Sequence, residues 1–172
     1  MTGAVVWFTG LPSSGKSLLA RRVLARLDSE RRPCCLLDGD RFREVLHPKP
    51  GYSPVERDNF YLTLGRMATE LATQGLVVLV AATAHRRSYR DQVRALVPQF
   101  IEVWLNASLE QCRQRDVKGL YEDFAKGTVH ALPGEDVGYE APPTPEVTAS
   151  GGDDDHAFTA ILAQLQAPVA SA

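Results

Sequence analysis

Four apolar runs of strand length punctuate the chain: Ala4 to Thr9, Pro33 to Asp38, Leu76 to Ala82 and Phe100 to Leu105. The third, Leu-Val-Val-Leu-Val-Ala-Ala, carries no polar position at all, as a strand covered on both faces should. Between the runs the apolar spacing changes to a helical period. Ala20, Val23, Leu24 and Leu27 share one face, as do Phe60, Leu64, Met67 and Leu71, with Gly75 where a helix C-terminus is expected. A further helix is expected from about Arg87 to Val97, and another from near Ser108 carrying Leu109 and Cys112. Phe158, Ile161, Leu162 and Leu165 mark a closing helix at about 156–167. Strands alternating with helices predict an α/β fold, an open parallel sheet of about five strands with helices on both faces. Ligands of such sheets bind outside the carboxyl ends of the strands.

The end of the first run carries the clearest chemistry. Residues 10 to 17 read Gly-Leu-Pro-Ser-Ser-Gly-Lys-Ser, matching G-x-x-x-x-G-K-[ST] between a strand and an amphipathic helix. In that context the segment is a P-loop, and the fold is of the P-loop NTPase type. Its glycines let the backbone curl so that successive N–H groups point at phosphate oxygens, and the following helix adds its positive end. Gly10, Leu11, Pro12, Ser13, Ser14, Gly15 and Leu18 are therefore expected around a bound ATP. Lys16 is expected to reach the β- and γ-phosphates, and the Ser17 hydroxyl to ligate Mg²⁺.

Composition narrows the classes. The 172 residues suit one domain with one core, and a net charge of −2 leaves no global basic field for nucleic acid. No apolar stretch is long enough to span a membrane, and none at the N-terminus resembles a signal sequence, so a cytoplasmic location is expected. The three cysteines, Cys34, Cys35 and Cys112, lack metal-ligand spacing and read as buried thiols of a reducing compartment. The Pro- and Gly-rich stretch from Pro142 to Asp155 reads as an exposed connection before the last helix.

A second constellation closes strand two: Asp38-Gly39-Asp40, followed by Arg41 and Arg43. Alone it reads as a turn or a helix cap. Beside a P-loop its carboxylates become the suppliers of a Mg²⁺ site (Ser17, Asp38, Asp40) and of a base for an attacking hydroxyl, because no Asp ends strand three. Arg87, Arg90 and Arg94 form a helical stripe, read first as a solvated face and second as a recruiter of anionic nucleotide. His85 follows the third strand at the cleft edge, and His47 and His130 read as exposed loop residues.

Several blocks in register make the chain resemble the adenylylsulfate kinase family: Trp7-Phe8-Thr9-Gly10-Leu11 running into the P-loop, Leu37-Asp38-Gly39-Asp40 with Arg43, Gly51-Tyr52-Ser53 with Arg57, Arg115-Asp116-Val117-Lys118-Gly119-Leu120-Tyr121, and Gly134 through Tyr139-Glu140, with Pro142, Pro145 and Glu146 after it. The resemblance covers nearly the whole chain. It implies transfer of the ATP γ-phosphoryl to the 3′-hydroxyl of adenosine 5′-phosphosulfate, with Asp40 and Lys16 catalytic. It further implies Arg43 and Arg57 on the phosphosulfate end, Tyr52 stacked on the acceptor adenine, and Asp38, Lys118 and Leu120 on the acceptor side. Arg115 would lie against the ATP base. A lid at about 118–134 within a single kinase domain of residues 1–172, and a homodimer, are also implied.

The chain departs from the family at three places. Phe60 and Leu62 stand where the family has Asn and Arg, unless the register between Arg57 and Gly65 shifts by one and Asn59 supplies the amide. Thr83-Ala84-His85-Arg86-Arg87 replaces Ile-Ser-Pro-Tyr-Arg, so no phosphoserine can form at Ala84. Leu132 replaces a second stacking Phe of the lid, which weakens the clamp on the acceptor base. All three lie on the acceptor side, so a different nucleotide or small-metabolite hydroxyl stays open as the acceptor. The intact Lys16, Ser17 and Asp40 argue against a non-catalytic nucleotide-binding protein.

Overall fold

The computed structural model describes residues 3–167. Along the chain run β1 (Ala4–Gly10), α1 (Lys16–Ser29), β2 (Cys34–Asp38), α2 (Gly39–Val45), α3 (Pro54–Thr73), β3 (Val77–Ala81), α4 (Arg87–Arg94), β4 (Phe100–Leu105), α5 (Leu109–Arg115), α6 (Leu120–Ala125), β5 (Val147–Ala149) and α7 (Asp155–Gln166). The five strands are parallel, in the order β2-β3-β1-β4-β5. None of the described helices is long and apolar enough to cross a membrane.

Strand alternation sorts side chains into two cores. Val6, Phe8, Leu79 and Ile101 point to one face, where Leu19, Val23 and Leu27 of α1 and Ile161 and Leu165 of α7 cover them. Val5, Trp7, Val78 and Val80 point to the other, under Phe60, Leu64 and Ala68 of α3 and Tyr89 and Val93 of α4. Being covered on both faces is why β1 and β3 read as unbroken apolar runs.

Helix α3 begins at a capping box, in which the Ser53 hydroxyl accepts from the Glu56 amide and the Glu56 carboxylate accepts from the Ser53 amide, with Pro54 in the first turn. Its buried face runs through Phe60, Tyr61, Leu64, Ala68 and Ala72, whereas Met67 points to solvent. Helix α4 stops at Arg94, short of the expected Val97.

Two expectations are corrected. The Pro- and Gly-rich stretch is not an exposed connection: it contains edge strand β5, with Val147 and Ala149 buried, and Gly151 and Gly152 are buried as well. The arginine stripe of α4 is a solvated face only in part: Arg87 is exposed, Arg94 is half-buried and Arg90 is buried. Arg90 is 1% exposed and donates to Glu102 at 2.6 Å, to the Glu140 carbonyl at 2.7 Å and to the Ala84 carbonyl. Arg94 bridges Glu102 and Glu146, and Arg87 binds Glu140 and Ala141. The stripe thus ties residues 140–146 to the sheet.

Candidate functional site

At the carboxyl ends of the strands lies a cleft of about 980 Å³. Its floor is the loop between β1 and α1. The backbone turns there with Gly15 at φ 103, a conformation a side chain resists, and α1 opens directly behind it. The Ser13 and Ser14 hydroxyls are buried with no hydrogen-bond partner among the described residues. An unsatisfied donor at a helix N-terminus is what an anion would satisfy, and of the two Ser13 lines the cleft. Lys16 donates to the carbonyls of Gly10 at 3.0 Å and Leu11 at 2.7 Å. Desolvation lowers its pKa to about 8, against the pull of Asp40 and with help from Lys118.

The loop after β2 meets this floor. Ser17 Oγ donates to Asp38 Oδ2 at 2.6 Å, while Asp38 Oδ1 accepts from the amides of Asp40 at 3.2 Å and Arg41 at 3.4 Å. Asp38 therefore caps α2 with one oxygen and faces the P-loop with the other. Asp40 projects into the cleft and pairs with Lys118. The two carboxylates are thus divided, Asp38 at the Ser17 hydroxyl and Asp40 at the opposite ammonium.

The far half of the cleft is cationic and aromatic. Arg43 is 6% exposed, and its guanidinium lies 4.4 Å from the Tyr52 ring centroid and 3.9 Å from that of Phe60. Arg57, also 6% exposed, donates to the Tyr52 carbonyl at 3.0 Å and to the Ala131 carbonyl across the cleft, and burial lowers its pKa. Segment 118–134 forms the opposite wall. It rests on the P-loop through Tyr121, whose hydroxyl donates to the Pro12 carbonyl at 2.9 Å. Leu120 and Leu132 line the cleft, and Leu132 also packs with Ala107, Cys112 and Tyr121. Arg115 lines the P-loop end, its guanidinium 3.3 Å from the Ser14 carbonyl.

Pro12, Ser13, Gly15, Lys16, Ser17 and Leu18 line the cleft, as do Asp38, Asp40, Arg43, Tyr52, Arg57, Phe60 and Lys118. Gly10, Leu11 and Ser14 lie outside the lining: Leu11 packs on the cluster of Ala107, Cys112, Tyr121 and Leu132, and Ser14 is fully buried. Ala84 departs from expectation: it is fully buried in the core beside α3 and does not line the cleft, because the chain turns inward there at φ 42. His85 is buried too, against Tyr61 and Tyr89, rather than at the cleft edge. Asn59 is exposed and outside the cleft lining, whereas Phe60 faces the cleft and Leu62 points to solvent. Among lining residues that sequence reasoning missed are Tyr61, His130, Gly152 and Asp153. The Gly151-Gly152 doublet was the available signal. Gly152 packs so closely on Gly15 that neither tolerates a Cβ without displacing the other.

Comparison with known proteins agrees over most of the chain. The family model described as adenylylsulphate kinase matches residues 2–150. The adenylyl-sulfate kinase of Synechococcus sp. (strain JA-3-3Ab) is 41% identical over 145 residues, spanning 84% of this chain and 82% of that protein. The Mycobacterium tuberculosis APS kinase CysC, solved in complex with AMPPNP and APS, is similar at a TM-score of 0.88 and 31% identity, covering 96% of this chain and 99% of that one. The hexameric APS kinase from Thiobacillus denitrificans is similar at a TM-score of 0.68 and 30% identity, over 96% of this chain and 29% of that one.

Proposed function

The chain belongs to the adenylylsulphate kinase family, and from that premise we propose how its cleft moves the γ-phosphoryl of ATP to the 3′-hydroxyl of adenosine 5′-phosphosulfate, giving 3′-phosphoadenosine 5′-phosphosulfate. The observation that carries this reading is the division of the cleft. A P-loop anion cradle occupies one end and a cationic, aromatic acceptor wall the other, with Asp40 between them.

ATP places its phosphates on the P-loop, where backbone amides, the Ser13 hydroxyl and Lys16 meet their oxygens. Lys16 then exchanges the carbonyls of Gly10 and Leu11 for phosphate oxygens. The residues also fit Mg²⁺: Ser17 Oγ and Asp38 Oδ2 are adjacent hard oxygens. When bound by Ser17 and Asp38, Mg²⁺ neutralises charge on the β- and γ-phosphates.

On the acceptor side, Arg43 and Arg57 match the phosphosulfate group in charge and in planar donor geometry, and Tyr52 offers a ring to the adenine. Asp40 accepts the proton of the 3′-hydroxyl as its oxygen forms a bond to the γ-phosphorus and the bond to the departing ADP oxygen breaks. Lys16 and the P-loop amides hold the charge that gathers on ADP. Closure of segment 118–134 keeps water from competing as acceptor.

The test is ADP release by the purified protein with ATP and Mg²⁺, with and without adenosine 5′-phosphosulfate. Release that depends on the acceptor supports the proposal. Release that ignores it, or that another hydroxyl compound stimulates more strongly, sinks it.

A further inference from the structure

The acceptor wall contains a chain of contacts that phosphoryl transfer itself does not require. Phe60, on α3, is 3% exposed yet reaches the cleft. The Arg43 guanidinium lies over its ring at 3.9 Å and over the Tyr52 ring at 4.4 Å. Behind Phe60 stand Tyr61, edge-on at 5.2 Å between centroids, and Phe42 at 6.1 Å. The Arg43 edge is fixed as well, since Nη1 donates to the carbonyls of Pro50 at 3.2 Å and Gly51 at 2.6 Å. Tyr52 differs from its partners: 55% of it is exposed, so it still has surface to offer a ligand.

These contacts set a direction of support, from the core outward. A buried ring attracts a guanidinium strongly because neither is well solvated, and it holds the cation's plane as well as its place. A leucine of similar bulk supplies the packing without the quadrupole that orients the cation.

We propose that Phe60 is a positioning residue for the acceptor, acting through Arg43 and Tyr52. It holds the Arg43 plane so that its unused donors face the acceptor's anionic end, and Arg43 in turn sets the Tyr52 ring against the acceptor base. The inference rests on the function proposed above. It makes Phe60 a working replacement for a polar acceptor contact and not a sign of a changed reaction.

The test compares Phe60→Leu, Phe60→Tyr, Arg43→Lys and the Phe60→Leu/Arg43→Lys double variant by steady-state kinetics on the full chain. Phe60→Leu should raise the KM for adenosine 5′-phosphosulfate roughly tenfold, with the KM for ATP held within about twofold, and Phe60→Tyr should restore the acceptor KM. Because Phe60 acts through Arg43, the double variant should bind acceptor no worse than Arg43→Lys alone. If Phe60→Leu fails to fold, Phe60→Met, flexible and ringless, takes its place. An unchanged acceptor KM, a parallel rise in both KM values, or multiplicative losses in the double variant would overturn the inference. A wild type with no acceptor-dependent turnover refutes the proposed function before any variant is read; an active wild type with an indifferent Phe60 refutes only this inference.

Discussion

The Lys118 ammonium, on one wall of the cleft, rests on the Asp40 carboxylate of the other. Both side chains are more than half exposed, at 52% and 64%, so the pair contributes little to stability. Its consequences should therefore be kinetic. An acceptor whose anionic end engages Lys118 would release Asp40 for its proton. Asp40→Ala should lower kcat by about 10²–10⁴-fold, with ATP binding and the melting temperature nearly unchanged. Lys118→Ala should mainly raise the acceptor KM. Retained turnover in Asp40→Ala would remove Asp40 from the role of base.

Lys16 supplies a pH dependence. Its burial brings the pKa to about 8 in the empty cleft. Above that value the free enzyme loses the charge that meets the phosphates, so kcat/KM for ATP should fall from about pH 8 upward. Bound phosphate restores the charge, so kcat should hold to higher pH. Stability moves the opposite way. Between about 8 and the ordinary 10.5 the unfolded chain binds more protons at this group than the folded one, so its contribution to stability rises with pH there. Titration of Lys16 itself therefore cannot mimic the loss through unfolding, and melting temperatures over the same pH range separate out unfolding driven by the thiols and phenols whose pKa burial raises. A kcat/KM profile flat to pH 10 would contradict this account.

Gly152 meets the back of the P-loop. A Cβ on it would lie 2.7 Å from Leu18 Cβ and 2.8 Å from the Gly15 carbonyl oxygen, so one backbone must move. Gly152→Ala should lower kcat/KM for ATP roughly tenfold or more through a displaced loop, while the acceptor KM changes less. Nucleotide titration with ADP checks it directly, and wild-type affinity would show that the contact is dispensable.

His85 should make the protein acid-sensitive. Burial, then the charges of Arg57 and Arg86, lower its pKa to about 4, and Nδ1 has no partner among the described residues. Between about 6.5 and 4 the unfolded chain takes up a proton that the folded chain refuses, so stability is lost as pH falls through that window. His85→Phe, which suits the Tyr61 and Tyr89 rings, should flatten the acid limb of melting temperature against pH. An unchanged slope would assign the acid sensitivity to other groups.

The sheet, the P-loop and the acidic turn after β2 were legible because each is written in consecutive residues: apolar runs for buried strands, glycines and a Lys-Ser pair for the phosphate floor. What escaped depends on distant partners. Three-residue β5 has too few positions to show a period, and its Pro-rich flank reads as loop. Arg90 looks solvated until Glu102 and the Ala84 and Glu140 carbonyls, 12, 6 and 50 residues away, come together around it. Ala84 and His85 follow a strand toward the cleft, yet a left-handed turn at Ala84 carries both into the core. The division of labour between Asp38 and Asp40 needed the position of Lys118, 78 residues away from Asp40.

The central claim concerns where the phosphoryl group goes. ³¹P NMR of the products formed from ATP, Mg²⁺ and adenosine 5′-phosphosulfate reads that destination directly. The account predicts a new phosphomonoester signal at the ribose 3′ position, growing in step with ADP. Inorganic phosphate in its place, or a phosphoryl group on any other hydroxyl, would contradict it.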